Sequence, residues 1–242
     1  FRDAKMNKKL FLLILLCFSC SEPAETLNDS KTADTTSNWF EDQTDQYGVG
    51  IPWISGDTGE FNMPEIIGGG AAALDFDKDG DMDLYIVQGG YLNQNNNSTT
   101  NMLLRNDGTK FVDITQESLS GDTGYGMGVT TGDYNNDGFV DLYITNVGAN
   151  VLLKNNGDGT FLDMTEIAGV GDEGWGASTA FVDLDNDGHL DIYSINYLVW
   201  DYGLEITCYN QKVLKIIVLL QTIWLQLKII FLKIMVMEHL QI

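Results

Sequence analysis

Residues 133–144 read Asp-Tyr-Asn-Asn-Asp-Gly-Phe-Val-Asp-Leu-Tyr-Ile, and the chain contains this pattern three times. The other copies are Asp-Phe-Asp-Lys-Asp-Gly-Asp-Met-Asp-Leu-Tyr-Ile at residues 75–86 and Asp-Leu-Asp-Asn-Asp-Gly-His-Leu-Asp-Ile-Tyr-Ser at residues 183–194. In each copy, positions one, three, five and nine carry Asp or Asn, and position six is glycine. We call the first nine residues of each copy the first, second and third acidic loop. Self-similarity of this kind predicts a repeat protein.

A second motif, Phe-x-Asp-x-Thr, alternates with the acidic loops and begins at Phe40, Phe111 and Phe161. Its second and third copies each precede the next acidic loop by 22 residues, and the whole repeating unit is about 50 residues long. The first unit is longer because a polar stretch is inserted at residues 93–101.

Each unit contains four short segments rich in Val, Ile, Thr, Tyr and Phe, separated by turn residues. In the second unit these segments are residues 128–134, 140–146, 151–154 and 160–165. Four strands in such a unit are typical of one β-propeller blade. A β-sandwich is the alternative, but a sandwich does not need the same unit three times. We therefore predict an all-β fold, a β-propeller truncated to about three blades, over residues 39–208.

The acidic loops have the chemistry of a site for a hard cation. Carboxylates at alternating positions, with a glycine that permits a sharp turn, allow a short loop to wrap its oxygens around Ca²⁺. Mg²⁺ fits less well because it requires a tighter octahedral site. The loops are not EF-hands, since position twelve is Ile86, Ile144 or Ser194 rather than glutamate. A metal-free turn is the alternative for a single loop, but three copies with the same spacing favour a metal.

Together, the loops, the Phe-x-Asp-x-Thr motif and the Asn-Gly-Asp-Gly-Thr-Phe stretch at residues 156–161 resemble FG-GAP/VCBS repeats. Such repeats are the blades of integrin α-chain-like propellers, and the resemblance over residues 40–208 is greatest to bacterial members of the cartilage acidic protein (ASPIC/UnbV) family. It implies a seven-bladed propeller with calcium in hairpin loops between the first two strands of a blade. The metal ligands that the resemblance implies are Asp75, Asp77, Asp79, Asp83, Asp133, Asn135, Asp137, Asp141, Asp183, Asp185, Asp187 and Asp191.

Other aspartates are interpreted differently. Asp81 is an additional acid in the first loop and is read as a solvated charge. Asp57, Asp122 and Asp172 lie in Gly-Asp-x-Gly stretches and are interpreted as turn formers.

The chain carries a formal net charge of −22. Residues 1–9 and 209–242 each carry +3, which leaves −28 for the middle of the chain. Such a surface repels phosphates and attracts cations, so nucleic acid is not an expected partner.

The N-terminal residues 1–20 contain a few residues upstream of Met6 and a lipoprotein-type export signal. Two lysines precede the apolar residues 10–16, a segment too short to cross a bilayer. Cys20 lies where a bacterial lipoprotein carries its lipid, with plain signal cleavage as the alternative. Residues 21–38 are rich in Ser, Thr, Asp and Glu and predict a flexible linker. We expect an exported protein, anchored in the membrane through Cys20 at the bacterial outer membrane or cell surface.

Residues 209–242 are rich in Leu, Ile and Lys and contain no Asp or Gly. When residues 234–242 are back-translated and read in a shifted frame, the genetic code permits the Asn-Gly-Asp-Gly-Thr-Phe motif. We therefore interpret residues 209–242 as a frameshifted tail outside the native domain. A membrane helix, which three lysines would make costly, and an amphipathic surface helix are the alternatives. An exported chain also permits Cys208 to form a disulfide.

Two classes of function remain. We predict an exported calcium-binding module that binds or adheres to an extracellular protein or glycan. The alternative is a propeller-type polysaccharide-degrading enzyme whose catalytic part is missing from this fragment. We expect no enzyme, because the two histidines lie in an acidic loop (His189) and in the tail (His239) and no nucleophile motif occurs. Trp175 and Trp200 are suited to a sugar platform, but packing in the core is the preferred interpretation.

Overall fold

The computed structural model describes residues 40–57, 59, 62–92 and 99–200, and three short strands within residues 208–232. Contacts divide the chain into Phe1–Asp42 and Gln43–Ile242, and the architecture below is that of the second unit. The expected export signal (residues 1–20), Cys20 and the linker (residues 21–38) lie outside the described residues. In the described ranges, no helix has both the length and the apolar character that a membrane crossing requires.

Twelve strands and three one-turn α-helices make up the described secondary structure, together with a 3₁₀ turn at Met63–Ile66. The helices are α1 (Thr44–Tyr47), α2 (Thr115–Ser118) and α3 (Thr165–Ala168). The strands are β1 (Ala71–Leu74), β2 (Asp83–Ile86), β3 (Met102–Asn106), β4 (Phe111–Asp113), β5 (Tyr125–Gly132), β6 (Asp141–Asn155), β7 (Phe161–Asp163), β8 (Gly176–Val182), β9 (Asp191–Asn196), β10 (Cys208–Tyr209), β11 (Lys215–Ile216) and β12 (Ile229–Leu232).

These strands form antiparallel sheets that follow one another along the chain. The first sheet has the order β1-β2-β3-β4, the second β5-β6-β7 and the third β12-β9-β8, while β10 pairs with β11. Neighbours in sequence are neighbours in each of the first two sheets, as in a blade. The predicted all-β, propeller-like fold is confirmed, although the described sheets do not close a ring.

In the second sheet, the second and third predicted strands both fall within β6, which is a hairpin. Asn155 N–H donates to Asp141 Oδ1 at 2.8 Å, so the two ends of β6 lie side by side. The first part of β6 pairs with β5, and its last three residues pair with β7. Between these parts the chain turns at Gly148, whose φ is 107°, and the second arm of β6 corresponds to β3 of the first sheet. Gly148 N–H donates to the carbonyl oxygen of Gly174, so the next unit binds this turn.

The Phe-x-Asp-x-Thr motif connects the outer edge of a sheet to the next unit. In the second and third copies, Phe and Asp form the outer strand and Thr begins α2 or α3. The hydroxyl oxygens of Thr115 and Thr165 accept the backbone N–H groups of Leu103 and Leu152 at 2.9 Å. A threonine is therefore needed here to tie the helical turn to the third strand of the same sheet.

The first strands of the three sheets lie side by side, because β5 contacts both β1 and β8. Glycine permits this approach. A Cβ atom on Gly70 would lie 3.0 Å from the Cα atom of Gly128. We call the first strand of each sheet its inner strand. Glycines in or directly before the inner strands thus allow two backbones to pack closely.

Two hydrophobic clusters lie between the sheets. The cluster between the first and second sheets contains Leu74, Phe76, Tyr85, Val87, Leu103, Leu142, Ile144, Leu153 and Phe161. The cluster between the second and third sheets contains Tyr134, Tyr143, Leu152, Val170 and Ile192. Removing such side chains from water is worth about 1.5–3 kcal/mol each, so stacking of the sheets supplies much of the stability.

In the third sheet, β12 pairs with β9 as β3 pairs with β2 in the first sheet. The partners of Ser194 and Ile86 in these pairs are Ile230 and Met102. The interpretation of residues 209–242 as a frameshifted tail stays a prediction, as does a disulfide at Cys208.

A buried hydrogen bond joins the first and second sheets, and it gives a test of the stacking. Asn155 Nδ2 donates to the carbonyl oxygen of Phe76 at 2.8 Å. We expect Asn155→Ala to lower the free energy of unfolding by about 1–3 kcal/mol, because a buried acceptor loses its donor. Urea unfolding measures the effect.

Asn106→Ala is the matched control. Asn106 has the same bonds within its own unit, a cap on Gly108 N–H and a bond to the carbonyl of Met82, but among the described residues it has no bond to another sheet. It should therefore cost less than Asn155→Ala, and equal losses would contradict the assigned role of the inter-sheet bond.

Candidate metal centres

Each acidic loop joins the first two strands of a sheet. The first loop lies between β1 and β2, the second between β5 and β6, and the third between β8 and β9. All three therefore lie at the same end of their sheets.

The three loops share one local conformation. In each, the carboxylate at position one accepts the N–H of the glycine at position six: Asp75 from Gly80 at 3.2 Å, Asp133 from Gly138 at 2.7 Å and Asp183 from Gly188 at 2.9 Å. These glycines have φ between 87° and 94°, a region that side chains disfavour. The spacing of aspartate and glycine thus encodes the turn itself.

Carboxylates converge in the first and third loops. One oxygen from each of Asp75, Asp77 and Asp83 lies within 4.8 Å of the others. Asp183, Asp185 and Asp191 form the same group in the third loop. Positions one, three and nine are therefore brought together as a potential cation site.

The aspartates at position five do not join these groups. Asp79 instead accepts the N–H of Asp81 at 2.9 Å, and Asp187 accepts that of His189 at 3.0 Å. These two predicted ligands lie in the loops without converging with the other three.

The second loop is less acidic. Its position three is Asn135, whose Nδ2 donates to Asp137 at 2.9 Å. Lys154 Nζ lies 3.6 Å from the same carboxylate. An amide and a nearby ammonium reduce the negative charge available to a cation, so this loop differs in character from the other two.

The aspartate at position nine also has a structural role that the sequence interpretation missed. The carboxylate of Asp141 accepts the N–H of Tyr134 at 3.1 Å and that of Asn155 at 2.8 Å. Asp83 makes the equivalent pair of bonds to Phe76 and Asn106. Asp141 and Asp83 are fully buried. They therefore bind the loop to the third strand of the sheet.

Burial of these carboxyls changes their acidity. Desolvation raises the pKa of Asp141 to about 7, although the two backbone N–H groups act in the opposite direction and nearby Asp137 and Asp133 add to the rise. The pKa of Asp83 is raised for the same reasons. An added divalent cation would favour the ionised forms.

One atom points to a missing partner. Asp75 Oδ1 is buried and has no hydrogen-bond partner. A buried carboxylate oxygen is costly unless something pairs with it. The residues present therefore fit a hard cation such as Ca²⁺, for which carboxylate oxygens are the preferred ligands.

Asp122 and Asp172, interpreted from sequence as turn formers, do more than form turns. Asp122 accepts Nδ2 of Asn146 at 3.0 Å and of Asn101 at 3.4 Å, and thus connects the first and second sheets. Asp172 accepts Nδ2 of Asn196 at 2.5 Å. Burial raises the pKa of Asp122. The repeated Gly-Asp-x-Gly-[Tyr/Trp]-Gly at residues 121–126 and 171–176 was the signal available in the sequence.

The glycines of that repeat make room for the asparagines. A Cβ atom on Gly124 would lie 2.5 Å from Asn146, and one on Gly174 would lie 2.3 Å from Asn196. No larger residue fits without a shift. This network lies at the ends of β5 and β8 opposite to the acidic loops.

The fold and these loops define a class of protein: all-β, built from stacked antiparallel sheets, each with an acidic hairpin loop after its first strand. The comparison with protein families agrees. Residues 75–144 and 133–194 match the family described as FG-GAP-like repeat. Residues 75–194 therefore consist of FG-GAP-like repeats, and the FG-GAP part of the predicted resemblance is confirmed. A search of curated proteins found no match.

The raised pKa of Asp141 gives a pH prediction for the metal-free protein. In the unfolded chain this carboxyl has an ordinary pKa of about 4, so between that value and about 7 the folded chain binds more protons. The contribution of Asp141 to stability in EDTA should therefore fall as the pH rises through this range.

Melting temperatures in EDTA across the same pH range measure this effect against Asp141→Asn, which cannot ionise. The variant is less stable throughout because its amide N–H₂ replaces an acceptor, but the Asp141-dependent part of the slope should disappear. Parallel curves for the two proteins would refute the assignment.

Proposed function

We propose that this chain is an exported, calcium-binding β-propeller that acts as an extracellular binding or adhesion module for a protein or glycan. The observation that carries the proposal is the convergence of three carboxylates in loops of the same design within FG-GAP-like repeats. Calcium is structural in this proposal and takes no part in a reaction.

The role of calcium follows from repulsion. Carboxylates a few ångströms apart repel by about 1–4 kcal/mol per pair, depending on the effective dielectric constant. A divalent cation would replace this repulsion by attraction and hold the two strands of each hairpin in register. The residues that would hold it are those of positions one, three and nine, which converge in the first and third loops, with position five as the predicted fourth ligand.

Export is part of this proposal, and we expect the loops to bind calcium at about 10⁻⁴–10⁻³ M, the range of extracellular modules. We propose that a lipid on Cys20 anchors the protein at the bacterial outer membrane or cell surface. We also propose that the parent protein is of the ASPIC/UnbV kind, on the motifs quoted above.

The partner surface is proposed at the end of the sheets opposite to the acidic loops. A cleft of about 340 Å³ lies there, lined by Asp172, Glu173, Trp175 and Trp200 among others. Trp175 itself is 2% exposed and packs edge-on against Trp200, as a core residue does. Trp200 is only partly buried, and its ring is the one of the pair that can face a sugar ring or an aromatic side chain.

The alternative, a polysaccharide-degrading enzyme, has less support in the residues described. His189 lies in the third loop, 3.1 Å from Asn136 Nδ2, and not beside a nucleophile. The binding module is therefore the preferred function.

Calcium titration of the whole chain tests the metal proposal. We expect a rise in melting temperature that EDTA reverses, because each site stabilises the fold by about 2.7 kcal/mol at a hundredfold excess over its dissociation constant. Asp77→Asn and Asp185→Asn should each reduce the calcium-dependent rise.

Glu166→Gln is the control, since it removes one negative charge outside the acidic loops and should leave the rise intact. A melting temperature that does not respond to calcium in the unaltered protein would end the metal proposal.

A glycan array, read with calcium and with EDTA, tests the partner proposal. We expect binding that is lost in EDTA, because loss of calcium loosens the hairpins that order the sheets. Measurable turnover of a polysaccharide would instead support the enzyme.

A further inference from the structure

The acidic loops contact one another through the residue at position four. Lys78 of the first loop places its Nζ atom 4.1 Å from the ring centre of Phe139 in the second loop. Asn136 of the second loop donates through Nδ2 to the carbonyl oxygen of Gly188 in the third loop at 3.2 Å. The same atom lies 3.1 Å from Nδ1 of His189. Position four of one loop thus contacts positions six and seven of the next.

The backbone at position four is unusual for a residue with a side chain. Lys78, Asn136 and Asn186 have φ values of 61°, 58° and 59°, in the left-handed region. Asparagine tolerates this region, but for most residues it costs about 1–2 kcal/mol. The cost therefore falls on Lys78, which keeps the conformation of the two asparagines because its surroundings hold it there.

The contacted residue at position seven in turn holds the aspartate at position five. Phe139 N–H donates to Asp137 Oδ1 at 2.9 Å. His189 N–H donates to Asp187 Oδ1 at 3.0 Å. In each pair of adjacent loops, the residue that the preceding loop contacts therefore donates a hydrogen bond to a predicted metal ligand.

The contact between the second and third loops is the more direct of the two, because it is a hydrogen bond to the backbone. The carbonyl of Gly188 and the N–H of His189 belong to the same peptide group, so Asn136 binds one end of the group that holds Asp187 at the other. A hydrogen bond to the carbonyl polarises the peptide and strengthens its N–H as a donor. Asn136 thereby orients the Asp187 carboxylate.

We propose that Asn136 is a positioning residue for the metal site of the third loop, and that Lys78 has the same relation to the second loop. This inference rests on the proposed calcium function and adds to it that neighbouring sites are coupled through these contacts. Asn136 itself touches no metal. It acts through Gly188 and His189 on Asp187.

A reporter for the third loop allows a test. Leu184, at position two of this loop, is 51% exposed, so Leu184→Trp introduces an indole that sensitises terbium luminescence at this loop. Terbium titration of the whole chain with this reporter yields a dissociation constant for the third site. Melting in EDTA shows whether each variant remains folded.

Asn136→Gly is the variant of choice, because glycine adopts the left-handed region freely and only the side-chain amide is lost. We expect a two- to tenfold weaker terbium affinity at the third loop, the effect of about one hydrogen bond. Lys78→Gly is the matched control. It removes the same position from the first loop, which has no contact with the third in the described residues, and should leave this affinity unchanged.

If Asn136→Gly unfolds in EDTA, Asn136→Ala is judged by the same criterion, because alanine also lacks the N–H donor and adds no charge beside the third loop. An unchanged affinity in the folded variant, or an equal loss in Lys78→Gly, overturns this inference. A reporter protein that binds no terbium overturns the proposed function itself, so the two failures are distinguishable.

Discussion

The buried carboxylate at position nine is the constraint on which the rest of the structure depends. Asp83 and Asp141 each accept two backbone N–H groups, one from position two of the loop and one from the third strand. One side chain thereby closes the hairpin and joins it to the next strand. The loop, the second strand and the third strand depend on one another, because loss of either the loop or the third strand takes a donor from a buried carboxylate. Each sheet is for this reason a cooperative unit.

Different interactions hold the stacked units together at the inner strands, between the sheets and at the end opposite to the acidic loops. At the inner strands, glycines such as Gly70 and Gly128 let the backbones approach. Between the sheets, aromatic and aliphatic side chains fill the space, as in the stacked pair of Phe76 and Phe161. At the end opposite to the acidic loops, the carboxylate of Asp122 accepts amide hydrogens from two sheets. Each repeat thus makes the same kinds of contact with its neighbour.

The two ends of the sheets have separate chemistry. Acidic hairpins lie at one end, where negative charge favours a cation and where Asn136 links one loop to the next. At the other end lie the Asp–Asn network and the cleft beside Trp175. The sheets lie between the two ends. This separation suits a module in which the ion stabilises and another surface recognises.

The repeat, the strand-rich unit and the acidic turns can be predicted from the sequence, because they depend on residues that are close in the chain. A carboxylate that caps a glycine five residues later, as Asp133 does, can be seen in the spacing. Three features follow only from the packing of the units: the turn within β6 binds the next unit, Asp122 connects two sheets, and Asn136 contacts the loop after its own. Gly188 lies 52 residues beyond Asn136. Their contact exists because stacking brings the acidic loops of successive units together. A local sequence pattern cannot predict a contact between residues so far apart in the chain.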